Sequence, residues 1–165
     1  MNSVLNVAAA MNIEDLVDSY YDDVFRVCSK FVGPDGADDC AQDTFVAANR
    51  ALAKFRGESS AKTWLFGIAQ NACRNYRRKH RWTVPLEGWH ATESTDGLID
   101  ASALREALLK LDPDIARLVI LKETEGLTYE ECAEVFRIPV GTVKSRLHNA
   151  FLKLRRLLCE TETTR

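Results

Sequence analysis

The sequence predicts an all-α protein of two small helical domains joined by a flexible linker, and three observations support this prediction. Apolar residues recur at three- and four-residue steps along most of the chain, which is the spacing of one helical face. No segment shows the alternation of apolar and polar residues that indicates a half-buried strand. Residues 83–100 lose the periodicity and are rich in Pro, Gly, Ser, Thr and acidic residues, a composition typical of a linker.

Three helices are predicted for a first domain at 13–82, which follows an N-terminal extension at 1–12. Their apolar stripes give approximate bounds of 13–32, 37–55 and 61–80. Asn12 and Ser60 precede the first and third stripes, where a polar side chain can accept a hydrogen bond from the first helical turn. The run Gly-Pro-Asp-Gly at 33–36 predicts a loop between the first two helices. Phe25 falls in the first apolar stripe, on the helical face that it shares with Leu16, Val24 and Phe31.

Four helices are predicted for a second domain at 101–159, followed by a tail at 160–165. Asp112 and Pro113 form a typical start for the second of them, a capping residue followed by a proline at the first helical position. Thr128 and Glu131 have the spacing of a capping box at the start of the third. The fourth runs from Val140 to about Cys159, with its inward face formed by Val143, Leu147, Ala150, Phe151 and Leu154.

The formal net charge of −2 conceals an uneven distribution of charge. Residues 61–82 and 137–159, here called the N-terminal and C-terminal basic islands, each hold six basic and no acidic side chains. The acidic background holds five basic and ten acidic side chains at 1–60, and four basic and twelve acidic at 83–136. Each island has enough charge to neutralise several phosphates, so two contacts along one nucleic acid are expected. On charge alone, solvation of helix faces is an equally good explanation.

Residues 129–159 have the layout of a helix-turn-helix, a short helix and a longer one joined by a turn at 137–139. Ala133 is small where the two helices would cross, and Ile138 and Val143 are apolar where the turn would pack. The residues left outward near the start of the longer helix are polar or cationic, as contacts to base edges and phosphates require. They are Lys144, Ser145, Arg146, His148 and Asn149. A helical hairpin with a solvated basic face is the alternative interpretation.

Several segments resemble one family. GLTYEECA at 126–133 and IPVGTVKSRL at 138–147 resemble the region that reads the minus-thirty-five promoter element in extracytoplasmic-function (ECF) sigma factors. DDCAQDTF at 38–45 resembles the family's polymerase-docking helix. FRGESSAKTWL at 55–65, followed by IAQN at 68–71, resembles its minus-ten region. The segments follow one another in the family's order, with a linker where the family has one.

The resemblance covers roughly residues 13–158 and implies a subunit that binds core RNA polymerase and directs it to promoter DNA. It assigns 13–82 to the family's region 2 and 101–159 to its region 4. The polymerase contacts that it implies are Asp39, Gln42 and Asp43. The minus-ten DNA contacts are Arg56, Lys62, Thr63, Asn71, Arg74, Asn75, Arg77 and Arg78, and Thr142 joins the minus-thirty-five contacts. The loop at 56–63 and Asn71 match the part that captures a base flipped from the opening strand.

The resemblance also implies an anti-sigma factor as a partner, and a stress or envelope response as the setting. Trp64 falls in an apolar stripe, so core packing is favoured for it over stacking on a base. Arg137 stands where many relatives carry glycine or another turn-tolerant residue, which is acceptable unless the backbone there needs a left-handed angle.

Other classes of protein fit the sequence less well. A stand-alone helix-turn-helix regulator is the main alternative, because GTVK at 141–144 also occurs in response-regulator output domains. Such proteins usually carry a receiver domain with strands, and residues 1–82 predict no strand. An enzyme is disfavoured because no nucleotide-binding loop, HExxH or nucleophile elbow is present. A protein that only binds other proteins would need neither basic island.

No metal, cofactor or membrane contact is expected. The five cysteines include no CxxC pair and predict buried, reduced thiols; they are Cys28, Cys40, Cys73, Cys132 and Cys159. His80, His90 and His148 lack metal-ligand spacing. No apolar run approaches the roughly 18 residues of a membrane span, and no basic residue precedes Arg26, unlike the charged start of a signal peptide. A cytoplasmic location is therefore expected.

Overall fold

The computed structural model describes residues 12–80 and 101–163, and all the regular structure in these ranges is helical. The α-helices are α1 (Ile13–Val32), α2 (Pro34–Ala51), α3 (Ala61–His80), α4 (Ala101–Leu109), α5 (Pro113–Thr124), α6 (Tyr129–Phe136) and α7 (Val140–Thr163). A 3-10 helix at Leu52–Lys54 follows α2. The all-α prediction is confirmed, whereas the predicted linker at 83–100 lies outside the described residues.

The helices form two compact units. The first contains α1, α2 and α3, and the second contains α4, α5, α7 and most of α6. No helix in the described ranges is long and apolar enough to cross a bilayer. The exact domain bounds that were drawn from the sequence stay a prediction.

The core of the first unit forms where the apolar faces of α1, α2 and α3 meet. Large side chains come from α1 and α3, including Leu16, Phe31 and Phe66, all of which are fully buried. The buried face of α2 is built mainly of small residues, namely Gly36, Ala37, Cys40, Ala41, Thr44 and Ala48. Because small side chains let helices approach closely, α2 packs tightly on its neighbours and presents its polar residues to solvent.

Side-chain caps hold the starts of four helices where the sequence predicts them. At α1 the side chain of Asn12 accepts a hydrogen bond from the Asp15 N–H at 2.7 Å. Ser60 Oγ accepts from the Thr63 N–H at 3.0 Å at the start of α3. Each bond satisfies a backbone donor that the helix itself cannot satisfy.

The second unit has matching caps. Asp112 accepts hydrogen bonds from the N–H groups of Asp114 and Ile115, and Pro113 opens α5. Thr128 and Glu131 form the predicted capping box, with bonds of 2.8 and 3.1 Å. The buried face of α7 consists of Val143, Leu147, Ala150 and Leu154.

Two predictions about helix boundaries and faces are wrong. The run at 33–36 is not a loop, because α2 begins at Pro34 and only Gly33, at φ 81°, separates it from α1. Proline is compatible with a first helical position, since the N–H that it lacks would have no intrahelical partner there. Phe25 and Phe151 are not buried, with 36% and 43% of their surface exposed. Each residue lies at the edge of its helix's apolar face, and only the middle of that face is buried against other helices.

Arg137 adopts the left-handed backbone conformation, the one condition under which an arginine is unfavourable at this position. Its φ is 53°, and Arg137 is the one residue besides glycine with positive φ in the described ranges. The reversal brings the Ile138 N–H to 3.1 Å from the carbonyl oxygen of Ala133, which closes the turn between α6 and α7. A side chain with a Cβ costs roughly 1–2 kcal/mol in this conformation, so the turn is strained.

Four of the five cysteines are buried as predicted, but Cys159 is exposed. Cys40 forms a side-chain hydrogen bond with Cys73, and this bond together with burial raises the pKa of the Cys40 thiol. Burial raises the pKa of Cys132 to about 11. Both thiols therefore stay protonated at neutral pH, which is the unreactive form.

Candidate nucleic-acid interface

The outward face of α3 is formed by four of the side chains predicted to contact minus-ten DNA. At 100° per residue, Asn71, Arg74, Asn75 and Arg78 fall within one sector of the helix, opposite the buried Leu65, Ala69 and Cys73. All four are exposed. Two guanidinium groups and two amides on one solvent-facing surface are suited to phosphates and base edges.

Three other residues of the predicted minus-ten set lie differently. Lys62 Nζ is 2.9 Å from Asp23 Oδ2 on α1, so this cation stabilises a contact between helices. Thr63 is only 3% exposed, and its hydroxyl accepts a hydrogen bond from Ser60. Arg77 is half-buried on the side of α3 away from Asn75. Burial of Thr63 contradicts its predicted contact with DNA.

Asp23 is the electrostatic partner that holds the start of α3 against α1. Burial alone would raise the pKa of its carboxyl, but hydrogen bonds from Lys62 and Arg26 outweigh this effect and lower the pKa. The carboxylate is therefore charged at neutral pH and pairs with the Lys62 ammonium.

A cavity of about 400 Å³ opens beside the start of α3. It is lined by Lys54, Phe55, Arg56, Glu58, Ser59 and Trp64. The rings of Phe55 and Trp64 have centroids 4.6 Å apart at an interplanar angle of 32°. Trp64 is half-buried, so the same ring packs on Phe55 and lines the cavity. Aromatic walls beside an exposed arginine are suited to a planar base attached to a phosphate.

The exposed face of α2 carries the three residues predicted to contact polymerase. Asp39, Gln42 and Asp43 are all exposed, and Val46, one turn further along, is 51% exposed. Val46 was not predicted from the sequence, although it stands three residues after Asp43, on the polar side of the helix. This face of α2 therefore combines three exposed polar side chains with one exposed apolar side chain.

A hydrogen-bond network holds part of this face in place. The Tyr21 hydroxyl of α1 donates to Asp38 Oδ1 at 2.8 Å, and the Gln42 side-chain amide donates to Asp38 Oδ2 at 3.0 Å. The hydrogen bond to the Asp38 carboxylate raises the pKa of Tyr21, so its hydroxyl remains a donor at neutral pH. Asp38 thereby fixes the position of Gln42.

The start of α7 exposes the predicted minus-thirty-five side chains together. Lys144, Ser145, Arg146, His148 and Asn149 are exposed, and Thr142 is half-buried. Val143 and Leu147 lie on the opposite side and are buried, so packing sets the rotation of the helix. The Ser145 hydroxyl donates to the carbonyl oxygen of Thr142 at 3.1 Å.

Tyr129 and Lys122 belong to the same surface, although the sequence analysis assigned them no role. Lys122 Nζ lies 5.2 Å from the centroid of the Tyr129 ring, and Lys144 Nζ lies 5.4 Å from it. The three residues come from α5, α6 and α7. Their sequence separation concealed the cluster, because the amino-acid sequence carries no signal that brings Lys122 to this surface.

Exposed apolar side chains mark another part of the second unit. They are Leu109 of α4 and Phe151 and Leu152 of α7.

Within the described residues, no group of three or more His, Cys, Asp or Glu side chains is arranged to hold a metal ion.

Comparison with known families matches both halves of the chain. Residues 16–83 match the family model Sigma-70 region 2, and residues 101–154 match Sigma-70, region 4. The chain is 36% identical over 157 residues to the RNA polymerase sigma factor YlaC of Bacillus subtilis, covering 88% of this chain and 91% of that protein. It is 32% identical over 153 residues to the ECF RNA polymerase sigma-E factor of Escherichia coli K12, covering 82% and 80%.

Solved structures give the same result. The sigma factor RpoE, crystallised with the anti-sigma factor NepR from Bartonella quintana, matches with a TM-score of 0.67 and 27% identity, over 88% of this chain and 95% of that one. CnrH in complex with the cytosolic domain of CnrY also matches with a TM-score of 0.67 and 27% identity, over 95% and 96%. The chain therefore belongs to the ECF group of the sigma-70 family, and as an RNA polymerase sigma factor it binds core polymerase and directs promoter-specific transcription initiation.

Proposed function

We propose that the two units divide this work, with region 2 at 13–82 and region 4 at 101–159 joined by a linker at 83–100. In this proposal α2 binds core polymerase through Asp39, Gln42, Asp43 and Val46. Region 2 engages the minus-ten element and region 4 the minus-thirty-five element. Two binding sites joined by a linker gain from effective concentration only when they are held at the spacing of their targets. Docking on polymerase supplies that spacing.

The minus-ten contacts in this proposal are the exposed side chains of α3 and the cavity beside it. Asn71, Arg74, Asn75 and Arg78 face the DNA, and Arg56 stands at the cavity. A base extruded from the opening strand would enter between Arg56 and Trp64. Extrusion costs a few kcal/mol, and stacking on Trp64 together with polar contacts from Arg56 would offset that cost. Thr63 is left out because it is buried. Lys62 and Arg77 are assigned to the structure of the first unit.

The observation that carries the minus-thirty-five assignment is the surface at the start of α7. Five exposed polar or cationic residues and the half-buried Thr142 lie around the part of the helix that the buried Val143 and Leu147 leave outward. They are Thr142, Lys144, Ser145, Arg146, His148 and Asn149. A helix with this surface at its N-terminal end, preceded by a shorter helix and a tight turn, is suited to the major groove.

We propose further that an anti-sigma factor restrains this protein in the cytoplasm until a stress or envelope signal releases it. The structural relatives RpoE and CnrH were each solved with a partner, NepR and the cytosolic domain of CnrY. Exposed apolar side chains of the kind found at Val46, Phe151 and Leu152 are suited to such a partner. Copurification from cells with and without stress tests this, and release that does not change with any envelope stress would contradict it.

Transcription of fragmented genomic DNA from the source organism tests the main proposal. Core polymerase is supplied with and without this protein, and every RNA 5′ end is mapped. New, reproducible start sites that share two upstream elements are the expected result. Binding of fragments without new start sites would instead indicate a stand-alone helix-turn-helix regulator. Catalysis of RNA synthesis in this experiment belongs to the polymerase.

A further inference from the structure

The ring of Tyr21 in α1 is held between two phenylalanine rings. Its centroid lies 6.2 Å from that of Phe25 and 6.0 Å from that of Phe45, with interplanar angles of 19° and 18°. Aromatic rings at these distances attract each other. Phe45 belongs to α2 and is buried, so it anchors the stack in the core of the first unit. The stack therefore fixes the place of the Tyr21 hydroxyl beside α2.

That hydroxyl meets a carboxylate that accepts from two donors. Tyr21 donates to Asp38 Oδ1 at 2.8 Å, and Gln42 Nε2 donates to Asp38 Oδ2 at 3.0 Å. An ionised carboxylate only accepts hydrogen bonds, so the Gln42 amide turns its NH2 group toward Asp38 and its oxygen away from it. The contact with Tyr21 holds the carboxylate, and the carboxylate in turn sets the orientation of the amide.

The amide oxygen of Gln42 is the group that this arrangement leaves for a partner. Asp39 and Asp43 lie three residues before and one residue after Gln42, and their exposed carboxylates also present only acceptors. A face that presents only acceptors is complementary to a partner that presents donors, above all the cationic groups of Lys and Arg. A Gln42 amide turned the other way would direct its NH2 group at those same donors.

We infer that Tyr21 is a positioning residue for polymerase docking, which acts through Asp38 to keep the amide oxygen of Gln42 directed at donor groups of the polymerase. This inference rests on the proposed docking role of α2 and extends it to α1. An exposed glutamine loses rotamer freedom when it binds, so a side chain that is already held in place loses less on docking. Tyr21 itself does not have to reach the polymerase.

A double-mutant cycle between Tyr21 and Gln42 tests the inference, with affinity for core polymerase measured on the full chain. Tyr21→Phe keeps the aromatic stack and removes only the hydroxyl, and it is expected to weaken binding about two- to five-fold. In the Gln42→Ala background the same change should have no further effect, because no amide remains to be oriented. Tyr20→Phe removes a hydroxyl from the neighbouring residue and is the matched control.

Reversal of the amide gives a second measurement. In Asp38→Asn the new side-chain oxygen can still accept from Tyr21, while its NH2 group donates to the Gln42 oxygen, so the Gln42 amide turns round. The variant is expected to bind core polymerase more weakly than the wild type. Adding Gln42→Ala to Asp38→Asn should then raise the affinity about two-fold, although Gln42→Ala alone lowers that of the wild type.

Thermal melting of every variant separates a binding defect from a folding defect. Equal losses from Tyr21→Phe with and without Gln42→Ala would overturn the inference and leave α2 as the docking surface. A loss from Gln42→Ala that is as large in Asp38→Asn as in the wild type would overturn the proposed orientation of the amide. Unchanged core binding for Gln42→Ala would instead contradict the proposed docking role of Gln42, and with it the inference.

Discussion

The two basic helices α3 and α7 lie in islands of equal charge but use that charge differently. In α3 the Lys62 ammonium pairs with Asp23 of α1, and Arg77 is half-buried. In α7 both Lys144 and Arg146 are exposed. Part of the charge in the N-terminal island therefore stabilises its own unit, whereas the cations at the start of α7 are available to a ligand.

This difference shows why a count of basic residues overstates a DNA-binding surface. Each island contains six cations and no acid, so the sequence alone makes the two equivalent. A neighbouring helix removes part of this equivalence, because α1 places a carboxylate beside Lys62. In the second unit a neighbouring helix has the opposite effect, since α5 adds Lys122 to the α7 surface through the ring of Tyr129.

Reversing the charges at the start of α7 has the largest expected effect. Lys144→Glu with Arg146→Glu is expected to lower promoter-specific transcription by roughly a hundred-fold, because two cations that attract DNA phosphates are replaced by carboxylates that repel them. Polymerase binding should persist, as measured by co-sedimentation. Arg155→Glu with Arg156→Glu provides an equal charge change later in the same helix. Equal loss of polymerase binding in the first variant would contradict the division of labour between the units.

Reversing the acidic face of α2 should weaken docking on core polymerase while it leaves the side chains of α3 and α7 unchanged. Asp39→Arg with Asp43→Arg is expected to weaken binding to core polymerase roughly thirty-fold, since each new cation meets a surface suited to an acid. Co-sedimentation with core enzyme measures this. Asp18→Arg with Asp22→Arg on α1 is the control of equal charge, and a matching defect there would mean that net charge and not position determines docking.

Two neutralisations within the N-terminal island test the comparison directly. Arg78→Gln is expected to weaken promoter binding about three- to ten-fold while the thermal midpoint stays unchanged, because this guanidinium is exposed. Lys62→Gln is expected to leave promoter binding close to the wild type and to lower the free energy of unfolding by about 0.5 kcal/mol at pH 7, the usual contribution of a partly exposed ion pair. The opposite pattern would show that Lys62 prefers DNA to Asp23.

The cost of Lys62→Gln should also depend on pH. The pKa of Asp23 is lowered in the folded protein, so the pair stabilises the fold above the ordinary carboxylate pKa of about 3.9. As pH falls through the lowered value, the carboxylate is protonated and this contribution disappears. Chemical denaturation of the wild type and Lys62→Gln between pH 7 and pH 3 is expected to give curves that converge at the acidic end.

An effect of similar size to that of Lys62→Gln is expected at the turn between α6 and α7. Arg137→Gly should raise the free energy of unfolding of the second unit by about 0.5–1 kcal/mol, because glycine adopts the φ of 53° without the Cβ clash. Arg137→Ala removes the same charge without relieving the backbone, so its stability should match the wild type. Urea denaturation measures both variants, and equal gains would assign the effect to charge.

The sequence by itself determined the helices and most of their starts. Apolar periodicity is a local property, and the caps at Asn12, Ser60, Asp112 and Thr128 act within one turn, so neither requires knowledge of the rest of the chain. The misplaced loop at 33–36 shows the limit of this local signal. Proline and glycine there predict a break, but proline also begins a helix, and the length of the break does not follow from composition.

Tertiary structure decided which of the predicted contact residues remain at the surface and which pack within their own unit. Whether Lys62 pairs with Asp23, whether Thr63 is buried and whether Lys122 reaches Tyr129 all depend on where another helix packs. Helical periodicity places a side chain on a face but does not say what that face meets, because contacts between helices join residues far apart in the chain. The outward face of α7 was predictable because the buried Val143 and Leu147 orient the helix, whereas the charge available on α3 could be known only from its neighbour.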